Sequence, residues 1–182
     1  MATKRAAVTT AQAWIEPVSD DPEAVSALAV ARAHLAAGRA LRSLRRLRLF
    51  ELTGALPARA GLEGLLHRSI QFYNPHKERC SVRAAAAEPA PLAPGEQVVL
   101  VVERGEERRG AAERWWRHET GKDIEVREGV AWVMAFEGLE TDPAGAAADL
   151  AVVRDRRHGL LCNPHAQEHR VAAGTIPLPW MR

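Results

Sequence analysis

One seven-residue pattern occurs twice, as Asn74-Pro75-His76-Lys77-Glu78-Arg79-Cys80 and as Asn163-Pro164-His165-Ala166-Gln167-Glu168-His169. Each copy reads Asn-Pro-His, three residues, then Cys or His, and each follows an apolar stretch. Asn-Pro favours turns, because the Asn side chain bonds its own backbone and Pro presets φ at the next position. Two such turns, 89 residues apart (163 − 74), predict the matching turns of a duplicated or symmetric sheet.

The same pattern has a chemical reading. His76, Cys80, His165 and His169 are donors of the types, and in the number, that a tetrahedral zinc site uses. The reading carries a geometric condition. Wound into a helical turn, residues four apart share a face at roughly 6 Å; along a strand they stand roughly 13 Å apart, beyond one ion. A catalytic ion would use Glu78 or Glu168 as general base. Neither copy has the order of a metalloprotease helix, with Glu between two His. Cys80 beside His76, or Cys162 beside His158 and His165, is a nucleophile candidate without a visible orienting group. No glycine-rich phosphate loop, nucleophile elbow or dinucleotide fingerprint is present.

Residues 1–18 read as a flexible tail. Asp21, Pro22 and Glu23 then form a helix start, as cap, first helical residue and complement to the macrodipole. Small and apolar residues continue to a stop expected at Gly38. Leu41, Leu44, Leu47 and Phe50 recur on one side of a second helix, with Arg39, Arg42, Arg45, Arg46 and Arg48 around the remainder. An α-hairpin over 19–57 follows, and the stretch Leu28 to Arg39 resembles one helix pair of the tetratricopeptide type, as a way of packing two helices.

From residue 65 the pattern turns to strands, so 65–182 is expected as an α+β domain with a mainly antiparallel sheet and one inserted helix. Ser69 to Tyr73 and Cys80 to Arg83 are expected to flank the first Asn-Pro turn as a hairpin. Ala84 to Pro94 is an Ala/Pro-rich loop. Val98 to Val102, uninterrupted and β-branched, suits a strand covered on both faces. Residues 106–120 switch to helix, with Trp115 and Trp116 as core anchors and Gly121 as the stop. Two strands, Ile124 to Arg127 and Val130 to Phe136, follow around Glu128-Gly129. Past a polar loop, a further short strand is expected at Leu150 to Val153. Prolines at 177 and 179 hold the chain extended up to Trp180.

With 47% hydrophobic and 26% charged residues the chain has the composition of a globular protein. A formal charge of +2 is too small to demand nucleic acid or membrane as a partner of the whole chain. Two cysteines exclude a disulfide scaffold and fit a reducing cytoplasm. The leading expectation is a non-enzymatic bacterial protein, an assembly or accessory factor that binds another protein through its α-hairpin and C-terminal tail, using Arg39, Arg42, Arg46 and Trp180. The alternatives are a zinc-dependent hydrolase built on the two Asn-Pro-His motifs, and a nucleic-acid binder using the arginine-rich helix.

Overall fold

The computed structural model describes residues 8–138 and 142–181. Its centre is a six-stranded, wholly antiparallel sheet, so the fold is α+β. In chain order the elements are β1 (Thr9–Pro17), α1 (Pro22–His34), a 3-10 turn (Ala37–Ala40), β2 (Leu41–Gly54), α2 (Arg59–His67) and β3 (Glu78–Arg83). After them come β4 (Gln97–Glu103), α3 (Gly110–Thr120), β5 (Ile124–Phe136), α4 (Pro143–Ala151) and β6 (Gln167–Ala173). The sheet runs β3-β1-β2-β5-β4-β6. Among the described residues no helix is long and apolar enough to cross a membrane.

Read outward from the centre, β2-β1-β3 on one side matches β5-β4-β6 on the other. Each half has the order strand, helix, strand, helix, strand. The registers make the relation quantitative. Arg83 faces Gln12, which faces Glu51; 89 residues on, Ala172 faces Val98, which faces Val133. Glu51 therefore corresponds to Val133, a shift of 82 (133 − 51), and the same shift carries Arg48 onto Val130 (130 − 48). Arg48 already pairs with Val130. A pseudo-twofold axis thus passes between these two residues, and the chain is one βαβαβ unit used twice.

The helices cover one face in two groups, each drawn from both halves. Leu62, Leu65 and Leu66 of α2 and Trp116 of α3 pack with Ala13, Ile15, Phe50, Leu52 and Val126. Ala24 and Ala31 of α1 and Leu150 and Ala151 of α4 pack with Leu44, Val99, Val101, Trp132 and Met134. The opposite face buries Trp14, Leu47, Leu49, Val98, Leu100 and Val133 beneath Leu92 of the loop between the halves and Ile176, Trp180 and Met181 of the tail.

Several sequence expectations are corrected. The α-hairpin does not exist, since β1 begins at Thr9 inside the expected tail and its supposed second helix is β2, the longest strand. Residues 1–7 of that tail lie outside the described residues. Leu41, Leu44, Leu47 and Phe50 fit a helical period, yet pairing with β1 and β5 along the strand prevails. The arginines between them reach acids on other elements: Arg45 to Glu16 and Glu96, Arg46 to Asp21 and Glu23, Arg48 to Glu78 and Glu128. Their stems lie along the sheet while their heads are paired. Ser69 to Tyr73 is not a strand but the turn after α2, with Phe72 and Tyr73 buried. Glu128-Gly129 does not interrupt β5. Gly129 sits where β4 approaches, and a Cβ there would meet Val102 Cγ1 at 2.8 Å. The expected strand at Leu150 is the end of α4.

Candidate functional site

Both Asn-Pro-His segments form one and the same closed turn. In the first, Asn74 Oδ1 accepts from the His76 N–H at 3.0 Å, the Asn74 carbonyl accepts from the Lys77 and Glu78 N–H groups, and Glu78 returns its carboxylate to the Asn74 N–H at 2.7 Å. In the second, Asn163, His165, Ala166 and Gln167 repeat every bond, Gln167 Oε1 taking the Asn163 N–H at 2.8 Å. The fifth residue of the motif, Glu or Gln, closes the turn and opens the strand that follows.

The turns lead into β3 and β6, the two outermost strands. Five inter-strand steps separate them, roughly 24 Å at about 4.8 Å per step. His76, His165 and His169 are exposed, and Cys80 points away from them into the core group under α2. The four candidate zinc ligands are therefore not brought together, and among the described residues no group of three or more His, Cys, Asp or Glu could hold a metal ion. Cys80 instead borders a cavity with Glu63, His67 and Tyr73, in which His67 Nδ1 lies 2.9 Å from Tyr73 Oη. Burial, and then the negative charge of Glu63, push the Cys80 thiol up to about 12, so it is a poor nucleophile at neutral pH. Cys162 is buried in the other helix-side core, and both cysteines are free.

The expected partner-binding residues separate in the same way. Trp180 is buried, stacked on Trp14 at 6.5 Å between ring centroids, so the tail packs on its own sheet. Arg46 lies over the Trp132 ring and pairs with Asp21 and Glu23. Arg39 and Arg42 remain exposed, Arg42 only loosely paired with Glu137 at 3.9 Å.

The surface that stands out is the outward side of α1. Asp21 caps the helix, its Oδ1 accepting from the N–H groups of Glu23 at 2.8 Å and Ala24 at 3.4 Å, with Pro22 in the first turn. That cap is worth about 1 kcal/mol. Ala24, Ala31 and Leu35 face the sheet. The opposite side exposes Val25, Ser26, Ala29, Val30 and Ala33, and no charged residue occurs between Glu23 and Arg32. A surface helix usually carries charges opposite its buried stripe. The twofold supplies an internal comparison, because α3 occupies the equivalent crossover in the second half. There the exposed positions are Ala111, Arg114, Arg117, His118 and Glu119. Val18 and Val25, both about half exposed, border one shallow cavity of about 230 Å³ at the start of α1.

The ends of α1 differ in sign. Asp20 and Glu23 stand at its start. At its end are Arg32, His34 and Arg39, and the Ala36 N–H donates to the Arg157 carbonyl at 3.2 Å, which brings the Arg156-Arg157 loop alongside. Among the described residues Arg32, Arg39 and Arg157 form no ion pair; Arg32 donates to the carbonyls of Leu41 and Arg42. The sequence shows this apolar run, but only the sheet order shows that its outer half is uncovered.

The chain matches no protein-family model, and neither the curated proteins nor the solved structures include a significant match to it.

Proposed function

We propose that the protein is a binding or assembly module that acts by docking on another protein chain through the outward face of α1. The observation that carries this reading is the contrast between α1 and α3. Two helices in equivalent places on one duplicated scaffold meet the same solvent, yet between Glu23 and Arg32 one exposes only Val25, Ser26, Ala29 and Val30, where the other exposes Arg114, Arg117, His118 and Glu119 beside Ala111. Exposed apolar surface with a polar rim is the usual mark of a protein contact. Arg39, at the rim, stays in the proposed interface; the α-hairpin and Trp180 drop out of it.

The reading is tested by Ala29→Arg on α1 against Arg114→Ala on α3, both at exposed positions where stability should move by no more than about 0.5 kcal/mol. Crosslinked complexes captured from extracts of the source cells are compared by quantitative mass spectrometry. A partner lost with Ala29→Arg and kept with Arg114→Ala supports the reading. Equal recovery in both variants removes it.

A further inference from the structure

We infer that the occupant of this face is a second copy of the same chain, with α1 packed antiparallel on α1 of its neighbour about a twofold axis near Ala29. The inference rests on the docking reading above and names its partner. α1 is 13 residues long, about 20 Å at 1.5 Å per residue. Its exposed surface has three zones in order: acidic at Asp20 and Glu23, uncharged from Val25 to Val30, basic at Arg32, His34, Arg39 and Arg157.

A surface with that order is complementary to itself when reversed. Antiparallel pairing sets the acidic start of each helix beside the basic end of the other, opposes the two macrodipoles, and leaves valines and small residues against each other at the centre. Parallel pairing would set acid on acid and base on base. Ser26, Ala29 and Ala33 let two helix axes approach to about 8 Å, the close end of the usual range. The arrangement is isologous, so it closes at two copies instead of growing a filament. Asp20 pairs with no described residue, nor do Arg39 and Arg157, so these three are available to the neighbour, whereas Glu23 is already held by Arg46 at 2.6 Å and Arg32 by the carbonyls of Leu41 and Arg42. A contact made mainly by one short helix per copy falls below the standard interface of about 1,600 Å², in the class of weak, reversible association.

The test uses the full chain in sedimentation velocity over a hundredfold range of concentration. A monomer–dimer equilibrium is expected, weakened at least about tenfold by Ala29→Arg and also weakened by added salt through the charged ends. Ala29→Cys should form a disulfide-linked dimer under mild oxidation, since an isologous contact sets residue 29 close to its own copy. Ala111→Cys on α3 should not. A chain that stays monomeric throughout, or a dimer indifferent to Ala29→Arg, overturns the inference. If the chain is monomeric but Ala29→Arg still loses a captured protein, a different partner holds the face and the docking reading survives alone. If neither changes, both fall.

Discussion

The carboxylate of Glu51, buried near the C-terminal end of β2, accepts a 2.7 Å hydrogen bond from the backbone N–H of Trp180, 129 positions along the chain. It also accepts from the Met181 N–H at 3.3 Å and from Gln12 Nε2 at 3.3 Å. Gln12 and Arg83 in turn donate to the Pro177 carbonyl. The row Arg83, Gln12, Glu51 crosses β3, β1 and β2, and its twofold equivalents are the apolar Ala172, Val98 and Val133. The symmetry is broken where the tail lies, so the polar row serves to hold the tail. Glu51→Leu leaves two buried N–H groups without an acceptor and should cost about 2–4 kcal/mol. Urea unfolding measures it, and in a chain truncated after Gly174, where those N–H groups are absent, Glu51→Leu should lose most of that cost. A loss below about 1 kcal/mol would mean that packing of Trp180 alone secures the tail.

Cys80 supplies a pH prediction with a definite sign. Its folded thiol is pushed up to about 12 from an ordinary value near 9, first by burial and then by Glu63. Between those values the unfolded chain has lost this proton and the folded chain keeps it, so the unfolded state binds fewer protons and stability falls as pH rises. The contribution is fully present below about 9 and is lost through about 12. Alkylation of Cys80 in the folded protein, followed by peptide mass spectrometry, should keep accelerating well above the pH at which the unfolded chain levels off. A plateau at the same pH in both states would show the thiol to be unperturbed.

Where the sequence was legible, the signal was local. Asp21-Pro22-Glu23 starts α1, Val98 to Val102 lies buried within β4, and the Asn-Pro segments are a pair of matching turns. Where it was not, the deciding partners lay far along the chain. β2 reads as a basic helix because Glu16, Asp21, Glu78, Glu96 and Glu128, which neutralise its arginines, belong to other elements. Gly129 reads as a turn because the side chains that require a glycine there, Leu100 and Val102, sit on a neighbouring strand. The α1 face is visible as a run of small residues, but its exposure follows only from how the helix lies on the sheet, and its charged counterpart on α3 only from the pseudo-twofold.

The identical turns predict near-identical energetics. Asn74→Ala and Asn163→Ala each remove one acceptor for a turn N–H and should cost about 1 kcal/mol. Lying on opposite edges of the sheet, they should add within about 0.5 kcal/mol in the double variant. The closing residues are not equal. Glu78 also pairs with Arg48 at 3.5 Å in a part-buried setting; Val130 stands in the equivalent place of that arginine, and Gln167 Nε2 instead donates to Glu103 Oε1 at an exposed position. Glu78→Ala should therefore be more destabilising than Gln167→Ala in chemical denaturation, and equal losses would show that the part-buried Arg48 pair contributes no more than the exposed bond from Gln167 to Glu103.

Two glycines in left-handed backbone separate conformational strain from close approach. Gly121 ends α3 at φ +69°, and a Cβ added there would meet nothing within 4 Å, so Gly121→Ala meets only backbone strain, about 1 kcal/mol. Gly159 has φ +83°, and a Cβ there would collide with the backbone carbonyl of Val152. That carbonyl cannot swing aside cheaply, because Val152 is bridged to Cys162 and the Val153 N–H donates to the Cys162 carbonyl at 3.0 Å. Gly159→Ala should thus cost clearly more than Gly121→Ala, about 2 kcal/mol or above. It should also displace the loop that carries Arg157, and with it the bond from the Ala36 N–H. Hydrogen exchange at Ala36 reads that displacement directly: faster exchange in Gly159→Ala than in Gly121→Ala ties the loop to the end of α1, and unchanged exchange would detach the basic residues of the loop from the α1 face.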